Sequence, residues 1–305
     1  MKFVVVGSGA IGCFYGSLLA RAGEDVTFVA RGNTLTQLQQ QDLIVQSIWG
    51  DYSMPVHAID TTKLHEVQAC DYVLLTVKST ALADVMGELD QLVTKKTKIV
   101  CVLNGIGNEE ILADRFGEET IIGASAFASV IVEQPGFIRH VASGDIMMGS
   151  WNNQSSESLQ LLARAFQRAG VNVILADNMK KAKWEKLLWN ISYNPITALT
   201  RKTVGEAIAD PQIYHIMNRV TEEYLNVVES IGMTFEEEMK SNVLYPNEFV
   251  RNHKTSMLQD LESGRKMELD SIMGHVIRVA KEQNVLIPTI ESMYYLLKDQ
   301  ERTAM

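Results

Sequence analysis

Short apolar runs alternate with helical segments in the first half of the chain. Five runs, dense in Val, Ile, Leu and Phe, are predicted to be strands, and the helical segments Gly12–Ala22 and Ala81–Leu92 lie between them. Because these runs are apolar throughout, they favour parallel strands that are covered on both faces. The order is typical of a doubly wound α/β domain. The predicted strands are Lys2–Val6, Asp25–Ala30, Asp71–Val77, Lys98–Leu103 and Thr120–Ala124.

Beyond the fifth run the pattern changes to alternating apolar and polar positions. Two such segments, Ser129–Glu133 and Phe137–Ala142, are joined by Gln134-Pro135-Gly136. This arrangement predicts an antiparallel hairpin that is added to the sheet. A helix at about Ser156–Ala169 and a strand at Val171–Ala176 are expected to complete the first domain.

From about Met179 the chain is predicted to be helical. Asp210-Pro211 provides an N-cap followed by proline at the first helical position. Apolar residues then recur at steps of three and four between Ile213 and Ile231, and Gly232 ends the helix. Similar patterns run from Ser256 to Ser263, from Glu268 to Gln283, and from Thr289 to the end.

A length of 305 residues allows two domains with separate cores. We expect a Rossmann-type doubly wound α/β domain over residues 1–177 and an all-α domain over residues 178–305. A cleft between two domains is a common place for a ligand. The formal net charge of −9 argues against nonspecific binding to nucleic acid, because no long-range attraction to phosphates exists.

The composition also bears on the cellular location. There is no signal-peptide pattern, and no apolar run approaches the roughly 18–20 residues that span a bilayer. The 3 cysteines lack C-x-x-C spacing and the 6 histidines form no ligand-spaced cluster. We therefore expect a cytoplasmic protein with free thiols, no metal and no membrane partner. The sequence does not fix the oligomeric state, and a homodimer is left open.

The first strand leads into the loop Gly7-Ser8-Gly9-Ala10-Ile11-Gly12, and a helix follows. Between a strand and a helix, this spacing predicts a dinucleotide site. Gly7 allows the tight turn, Gly9 lets the backbone approach a pyrophosphate, and Gly12 lets the helix pack on the strand. The N–H groups at the start of the helix offset the diphosphate charge. The alternative is a glycine-rich turn without a ligand.

Three polar residues follow the ends of predicted parallel strands, where doubly wound folds bind ligands. Arg31 stands where an NAD site usually has Asp or Glu, and its guanidinium can bind a 2′-phosphate, so NADP(H) is the expected cofactor. Lys78 follows Thr76-Val77, and Asn104 offers both a donor and an acceptor. Singly, each could be a surface or turn residue.

A row of polar residues lies in an otherwise apolar segment of the second half. Lys186, Asn190 and Asn194 are four residues apart, so a helix places them on one face. Burying them without partners is expensive, and the row therefore indicates a ligand. The alternative is a solvated stripe on a surface helix. Pro195 disfavours helical backbone at Asn194, where we expect the helix to end or kink.

Two further motifs follow in the helical half. Ser256-Met257-Leu258-Gln259 fits a capping box with Ser256 as the N-cap, and the same geometry would suit a substrate carboxylate. The sequence leaves these two interpretations open. Glu268 and Asp270 are separated by one residue, so a helix would point them in different directions. At most one of them is expected to face a shared site.

With these residues in place, the chain resembles the ketopantoate reductase (2-dehydropantoate 2-reductase) family over essentially its whole length. The motifs of the helical half are far more specific than the glycine loop. The resemblance is carried by the glycine loop, Arg31, Lys78, Asn104-Gly105, Lys186…Asn190…Asn194-Pro195, and Thr255-Ser256-Met257-Leu258-Gln259-Asp260 followed by Glu268.

The resemblance implies a role for each matched residue. The implied cofactor contacts are the glycine loop, Arg31 and Lys78 at the adenosine end, Asn104 near the nicotinamide ribose, the backbone of Ala128, and Glu268 near the nicotinamide. The implied substrate contacts are Asn104, Lys186, Asn190, Asn194 and Ser256. Lys186 would be the catalytic acid, and Glu268 the catalytic residue that orients groups beside the nicotinamide.

The implied reaction is the NADPH-dependent reduction of ketopantoate to pantoate, for pantothenate and coenzyme A biosynthesis. Hydride goes to the C2 carbonyl while Lys186 protonates the alkoxide. A lysine pKa is ordinarily about 10.4, so partial burial is expected to lower the pKa of Lys186. One alternative is a reductase of another small 2-keto acid. A second, from a different class, is a non-enzymatic NADP-binding sensor, although a sensor needs no proton donor.

Two positions match the family incompletely. The family's helical-domain glutamate falls at Glu222 or Glu223. His253 stands where relatives can carry asparagine, three residues before Ser256. The roles of these residues are left open.

Overall fold

The computed structural model describes residues 1–154, 156–244, 251–252 and 254–304, and His253 lies outside these ranges. The chain divides into two compact units. Unit 1 consists of Met1–Leu103 and Asn108–Lys180, and unit 2 of Asn104–Gly107 and Lys181–Met305. The short segment Asn104–Gly107 thus belongs to unit 2, although its neighbours along the chain belong to unit 1. Within the described ranges, no helix is both long and apolar enough to cross a membrane.

Unit 1 is built on one sheet, which has ten strands among the described residues. Helices connect the parallel strands, so the α/β prediction for this half is confirmed. The strands are β1 (Lys2–Val6), β2 (Asp25–Val29), β3 (Leu43–Ser47), β4 (Tyr52–Met54), β5 (His57–Ile59), β6 (Tyr72–Leu75), β7 (Lys98–Cys101), β8 (Ile121–Gln134), β9 (Phe137–Ser150) and β10 (Val173–Leu175). The helices are α1 (Ala10–Arg21), α2 (Gly32–Gln40), α3 (Leu82–Leu92), α4 (Asn108–Phe116) and α5 (Glu157–Arg168).

The strand order is β4-β3-β9-β8-β7-β6-β1-β2-β5, and β10 pairs with β9. Strand β1 lies between β2 and β6 and is parallel to both, with Phe3 opposite Val26 and Tyr72. Val4 and Val5 point to opposite faces and are 1% and 0% exposed. Both faces of the strand are therefore covered, which is why its sequence is apolar without alternation.

The predicted hairpin is longer than its alternating segments. The separate strands predicted at Thr120–Ala124 and Ser129–Glu133 are one strand of 14 residues, β8, paired with an equally long β9. Gly136 makes the connecting turn with a φ of 73°. The first half of β8 is buried beside β7 and the second half is partly exposed, so one strand carries two hydrophobic patterns.

Unit 2 is helical and has its own apolar core, as the sequence predicts. Asp210 is the N-cap of helix α8, as predicted, and its side chain accepts hydrogen bonds from the N–H groups of Gln212 and Ile213. A single π-helical turn, Asp270–Gly274, precedes α11. The helices are α6 (Met179–Thr200), α7 (Val204–Ala209), α8 (Pro211–Ser230), α9 (Glu237–Leu244), α10 (Ser256–Glu262), α11 (His275–Glu282) and α12 (Pro288–Ala304).

The sequence predicts an end or a kink at Asn194; helix α6 continues through Pro195 to Thr200, so the predicted end is wrong. Proline inside a helix costs about 3 kcal/mol, because it removes one hydrogen bond and crowds the preceding turn. Tyr193 and Ile196, on either side, are 0% and 2% exposed. Burial of each large apolar side chain contributes about 1.5–3 kcal/mol, which offsets the cost of the proline.

Glu223 connects α8 to the start of α12. Its carboxylate accepts hydrogen bonds from the N–H of Thr289 at 3.0 and 3.1 Å and from the N–H of Ile290 at 3.0 Å. The residue is only 3% exposed. Glu222 is instead exposed and forms an ion pair with Arg219 at 3.0 Å. Of the two glutamates, Glu223 therefore has the structural role, since a buried carboxylate at a helix N-terminus is favourably placed.

We predict that Glu223→Gln lowers the free energy of unfolding by about 1.5–3 kcal/mol, because charge-assisted hydrogen bonds are lost and a buried amide is left in their place. Urea unfolding followed by circular dichroism measures the change. The matched control, Glu222→Gln, should stay within about 0.5 kcal/mol. Equal effects of the two substitutions would show that the α12 contact does not stabilise unit 2.

Candidate active site

The turn after β1 requires glycine at position 7. Gly7 has a φ of +106°, and a Cβ added there would lie 2.5 Å from the backbone N of Val77. The hydroxyl of Thr76 donates a hydrogen bond to the Gly7 carbonyl at 2.8 Å. The turn is therefore packed directly against the chain that leaves β6, and no side chain fits between them.

The other two glycines of the motif differ in their surroundings. A Cβ on Gly12 would lie 2.1 Å from the Gly7 carbonyl oxygen and 2.5 Å from Thr76 Oγ1, so α1 packs on the loop itself. Gly9 is the N-cap of α1, and apart from its neighbours along the chain no heavy atom of the described residues lies within 4 Å of the position its Cβ would take. The start of α1 beside Gly9 is therefore open to a ligand, and its N–H groups suit an anion.

A cavity of about 240 Å³, which we call the loop cavity, lies at the carboxyl ends of β1, β2 and β6. Ser8 is held at its edge, because its hydroxyl donates to the carbonyl of Val29 at 2.8 Å. Arg31 forms an ion pair with Glu88 at the same cavity, and its side chain is 58% exposed. The lining residues include Gly7, Ser8, Arg31, Thr34, Val77, Ala81, Val85 and Glu88.

Lys78 and Ala128 are among the expected cofactor residues that lie outside this lining. Lys78 follows Val77 at the same edge of the sheet and precedes the short 3₁₀ turn Ser79–Ala81. Ala128 lies in β8 at a shift in the pairing register, opposite Ser143. Neither is among the described residues that line the loop cavity. Their cofactor contacts stay predictions.

In unit 2, three of the sequence-predicted residues are in hydrogen-bond contact. The ammonium of Lys186 donates to Asn104 Oδ1 at 3.3 Å. Asn104 Nδ2 in turn donates to Glu268 Oε2 at 3.4 Å. We call these three residues the Lys186 cluster. The Asn104 amide uses its oxygen towards the cation and its nitrogen towards the carboxylate, which is the orientation that the two partners require.

The loop that carries Asn104 is fixed by close backbone contacts. Gly105 and Gly107 have φ values of +80° and +91°, and Cβ atoms there would lie 2.3 Å from Ser271 O and 2.2 Å from His275 Nδ1. The N–H of Ile106 donates to the Ser271 carbonyl at 2.9 Å. The π-helical turn and the first residue of α11 therefore form the surface on which this loop packs. Single π-helical turns occur often at functional sites.

His275 is a second titratable group beside this loop. Burial, with a smaller contribution from the charge of Arg278, lowers the pKa of His275 to about 4. The imidazole is therefore neutral near pH 7 and cannot serve as a cationic proton donor. The ammonium of Lys186, in contrast, is a cation in contact with Asn104.

The polar row predicted on one helix face lies on α6. Lys186 and Asn190 are partly exposed, whereas Asn194 is 3% exposed. Because α6 continues through Pro195, these residues keep the helical spacing along the whole row. The row leads from the Lys186 cluster into the interior of unit 2.

Thr255, and not Ser256, is the N-cap of α10, so the predicted capping role of Ser256 is wrong. The Thr255 hydroxyl accepts a hydrogen bond from the N–H of Leu258, and Ser256 is the first helical residue, with an exposed side chain. Thr255 Oγ1 lies 2.7 Å from Thr197 Oγ1, and the Thr197 hydroxyl is 3.2 Å from the carbonyl of Asn194. These contacts join the start of α10 to the buried end of the polar row.

Glu268 and Asp270 face different partners, as expected. Glu268 is 8% exposed and lies in the Lys186 cluster. Asp270 accepts hydrogen bonds from Tyr294 at 2.5 Å and Lys298 at 2.8 Å. Burial alone would raise the pKa of Asp270, but these hydrogen bonds hold it below its usual value. Only Glu268 belongs to the candidate site.

Several site residues were not identified from the sequence. Thr255 could have been identified as the N-cap of α10, because threonine is a good N-cap residue and stands directly before the helical pattern. Glu88, Ser271, His275 and Thr197 lie within helices and have no local motif, so only the folded structure brings them to the site.

Comparisons with known proteins agree with the two-unit architecture. The family model described as Ketopantoate reductase PanE/ApbA matches residues 3–153, and its C-terminal counterpart matches residues 178–301. A 2-dehydropantoate 2-reductase from Mesorhizobium japonicum is 31% identical, over 98% of this chain and 97% of its own.

Solved structures give the same result. The crystal structure of 2-dehydropantoate 2-reductase from Geobacter metallireducens has a TM-score of 0.91 at 31% identity, covering 98% of this chain and 99% of that chain. A ternary structure of D-mandelate dehydrogenase with NADH and anilino(oxo)acetate reaches a TM-score of 0.93 at 21% identity, covering 100% of this chain and 99% of that chain. The second likeness shows a shared fold.

We predict that Gly12→Ala lowers the free energy of unfolding by about 1–3 kcal/mol, because the added methyl group overlaps the Gly7 carbonyl. Gly9→Ala is the matched control, since its methyl group would enter open space, and it should cost less than about 1 kcal/mol. Urea unfolding of both variants provides the measurement. A Gly12→Ala protein as stable as the control would contradict the close packing of α1 on the loop.

Proposed function

Since the chain belongs to the ketopantoate reductase family of oxidoreductases, we propose that it reduces 2-dehydropantoate to pantoate with NADPH, for pantothenate and coenzyme A biosynthesis. The observation that carries the proposal is the contact of Lys186 Nζ with Asn104 Oδ1, in a cluster completed by Glu268. A buried carboxylate and an amide that together hold one lysine ammonium are suited to a reaction that develops negative charge on oxygen.

The loop cavity fits a dinucleotide phosphate. Gly7 and Gly12 bring the backbone and α1 together, while the open side of Gly9 leaves room for a diphosphate. Arg31 lines the cavity with a side chain that is 58% exposed, so its guanidinium can reach a 2′-phosphate. Lys78 follows Val77 of the same lining and offers a second cation. These features support NADPH as the cofactor.

The Lys186 cluster supplies the proton and its orientation. When bound, the reduced nicotinamide supplies the hydride for the C2 carbonyl. The Lys186 ammonium stabilises the developing alkoxide and then protonates it. Glu268 only accepts hydrogen bonds when ionised, so it selects the Asn104 rotamer whose oxygen faces Lys186. Glu268 is thus a positioning residue for the acid.

The polar row and Ser256 are suited to hold the rest of the substrate. Asn190 lies one turn beyond Lys186 and can bind the carboxylate beside the keto group. Asn194 is 3% exposed, and a buried amide is stable only when its polar atoms are paired, for example with a substrate hydroxyl. The exposed hydroxyl of Ser256 is linked through Thr255 and Thr197 to the same end of the row.

A second candidate is a reductase of another small 2-keto acid. The D-mandelate dehydrogenase that shares the fold was solved with NADH and anilino(oxo)acetate, so the scaffold accommodates a different small-molecule ligand. A third is a protein that binds NADP without catalysis. The proton donor in the Lys186 cluster argues against that alternative, because binding alone does not need it.

Oxidation of NADPH, followed at 340 nm with 2-dehydropantoate and a panel of 2-keto acids, separates these candidates. We expect the highest kcat/KM with 2-dehydropantoate. A higher value with another 2-keto acid would favour the second candidate. Tight NADPH binding without turnover on any of them would favour the sensor.

We predict that Lys186→Ala lowers kcat by about 10²–10⁴-fold, the range typical of a lost general acid, while the Kd of NADPH stays within about threefold. Lys181→Ala is the matched control, since Lys181 lies on α6, is 41% exposed and forms an ion pair with Glu185 at 3.6 Å. It should keep nearly full activity. Nearly full turnover by Lys186→Ala at saturating substrate would refute the assignment.

A further inference from the structure

The loop cavity contains a carboxylate that no sequence motif indicates. Glu88 lies on α3, is 9% exposed, and forms the ion pair with Arg31. Ala81, Val85 and Glu88 follow one another at helical spacing and all line the cavity. The side of the cavity formed by these three residues is therefore apolar at Ala81 and Val85 and carries the carboxylate of Glu88 beside Arg31.

The two charged residues favour different coenzymes. The Arg31 guanidinium has only donors and suits a 2′-phosphate, whereas an ionised carboxylate has only acceptors and suits ribose hydroxyls. NAD-binding sites of this fold usually place that carboxylate at the end of the second strand. Here Arg31 occupies the strand end, and Glu88 brings a carboxylate to the same cavity from α3.

The ion pair also changes what Arg31 can offer. The positive charge of Arg31 is partly neutralised by Glu88, and the same charge also acts on the carboxylate of Asp60. Hydrogen bonds from Thr62 lower the pKa of Asp60, and the charge of Arg31 adds to that shift. A 2′-phosphate that reaches Arg31 must therefore approach Glu88, and like charges at such distances repel. The adenosine ribose of NADH has free hydroxyls instead, and these can donate hydrogen bonds to the Glu88 carboxylate.

We propose that Glu88 sets the coenzyme selectivity of this protein by limiting its preference for NADPH and allowing NADH to bind. The inference rests on the proposed function only in that a nicotinamide dinucleotide occupies the loop cavity. Glu88 acts on the adenosine end of the coenzyme, so it affects binding of the coenzyme and leaves the proton donor unchanged.

Isothermal titration of NADPH and NADH against wild type and Glu88→Gln tests this inference. We expect Glu88→Gln to lower the Kd of NADPH about tenfold, because the negative charge beside the 2′-phosphate is removed, and to raise the Kd of NADH about threefold. A tenfold change in Kd corresponds to about 1.4 kcal/mol. Arg31→Ala should shift the ratio of the two Kd values in the opposite direction.

Asp84→Asn is the matched control. Asp84 lies one turn before Glu88 on α3, is exposed and does not belong to the described lining of the cavity. The substitution removes the same charge, and both Kd values should stay within about twofold. Glu88→Ala serves as the second variant if the amide variant is not folded by circular dichroism.

The outcomes distinguish the two proposals. An unchanged ratio of Kd values in Glu88→Gln, or weaker NADPH binding, would overturn the selectivity role and leave the proposed reaction intact. Failure of the wild-type protein to bind either coenzyme would overturn both proposals.

Discussion

The candidate site depends on the amide of Asn104, held between a cation and a carboxylate. Lys186 can only donate and an ionised Glu268 can only accept, so together they fix which end of the amide faces which partner. This works only because the Asn104 loop is fixed in turn. The absence of side chains at Gly105 and Gly107 lets its backbone touch the π-helical turn and His275. The close packing of the glycine backbone on Ser271 and His275 thus determines the geometry of the Lys186 cluster.

The sequence predicts the fold where burial follows a local period. The wholly apolar strands at the centre of the sheet and the three- and four-residue steps of α8 were both visible, because in each the order of apolar residues follows directly from which faces of the element are buried. The strands β3, β4 and β5 were not predicted, since β4 and β5 have only three residues each and β3 alternates between buried and exposed positions. The helix end expected at Asn194 was wrong because tertiary burial outweighed a local backbone preference.

The candidate site could be predicted only where its parts are close in sequence. The glycine loop and the α6 row are local patterns, and each follows from the geometry of one strand–helix unit or one helix. The pairing of Asn104 with Glu268 spans 164 positions, and that of Arg31 with Glu88 spans 57. Glu88 lies in α3, whose sequence is that of an ordinary amphipathic helix, so only the folded structure identifies it as a cavity residue.

The assignment of Asn104–Gly107 to unit 2 has a consequence for the order in which the protein matures during synthesis. Ile106 is 3% exposed in the core of unit 2, and its N–H binds Ser271. At about 5–20 residues per second, the 164 positions from Asn104 to Glu268 take roughly 8–33 s to translate. During that interval the last strands of the unit 1 sheet are translated, and the sheet can be completed while Asn104 still lacks Glu268. The ribosome therefore completes the half with the glycine loop first, and the Lys186 cluster is assembled last.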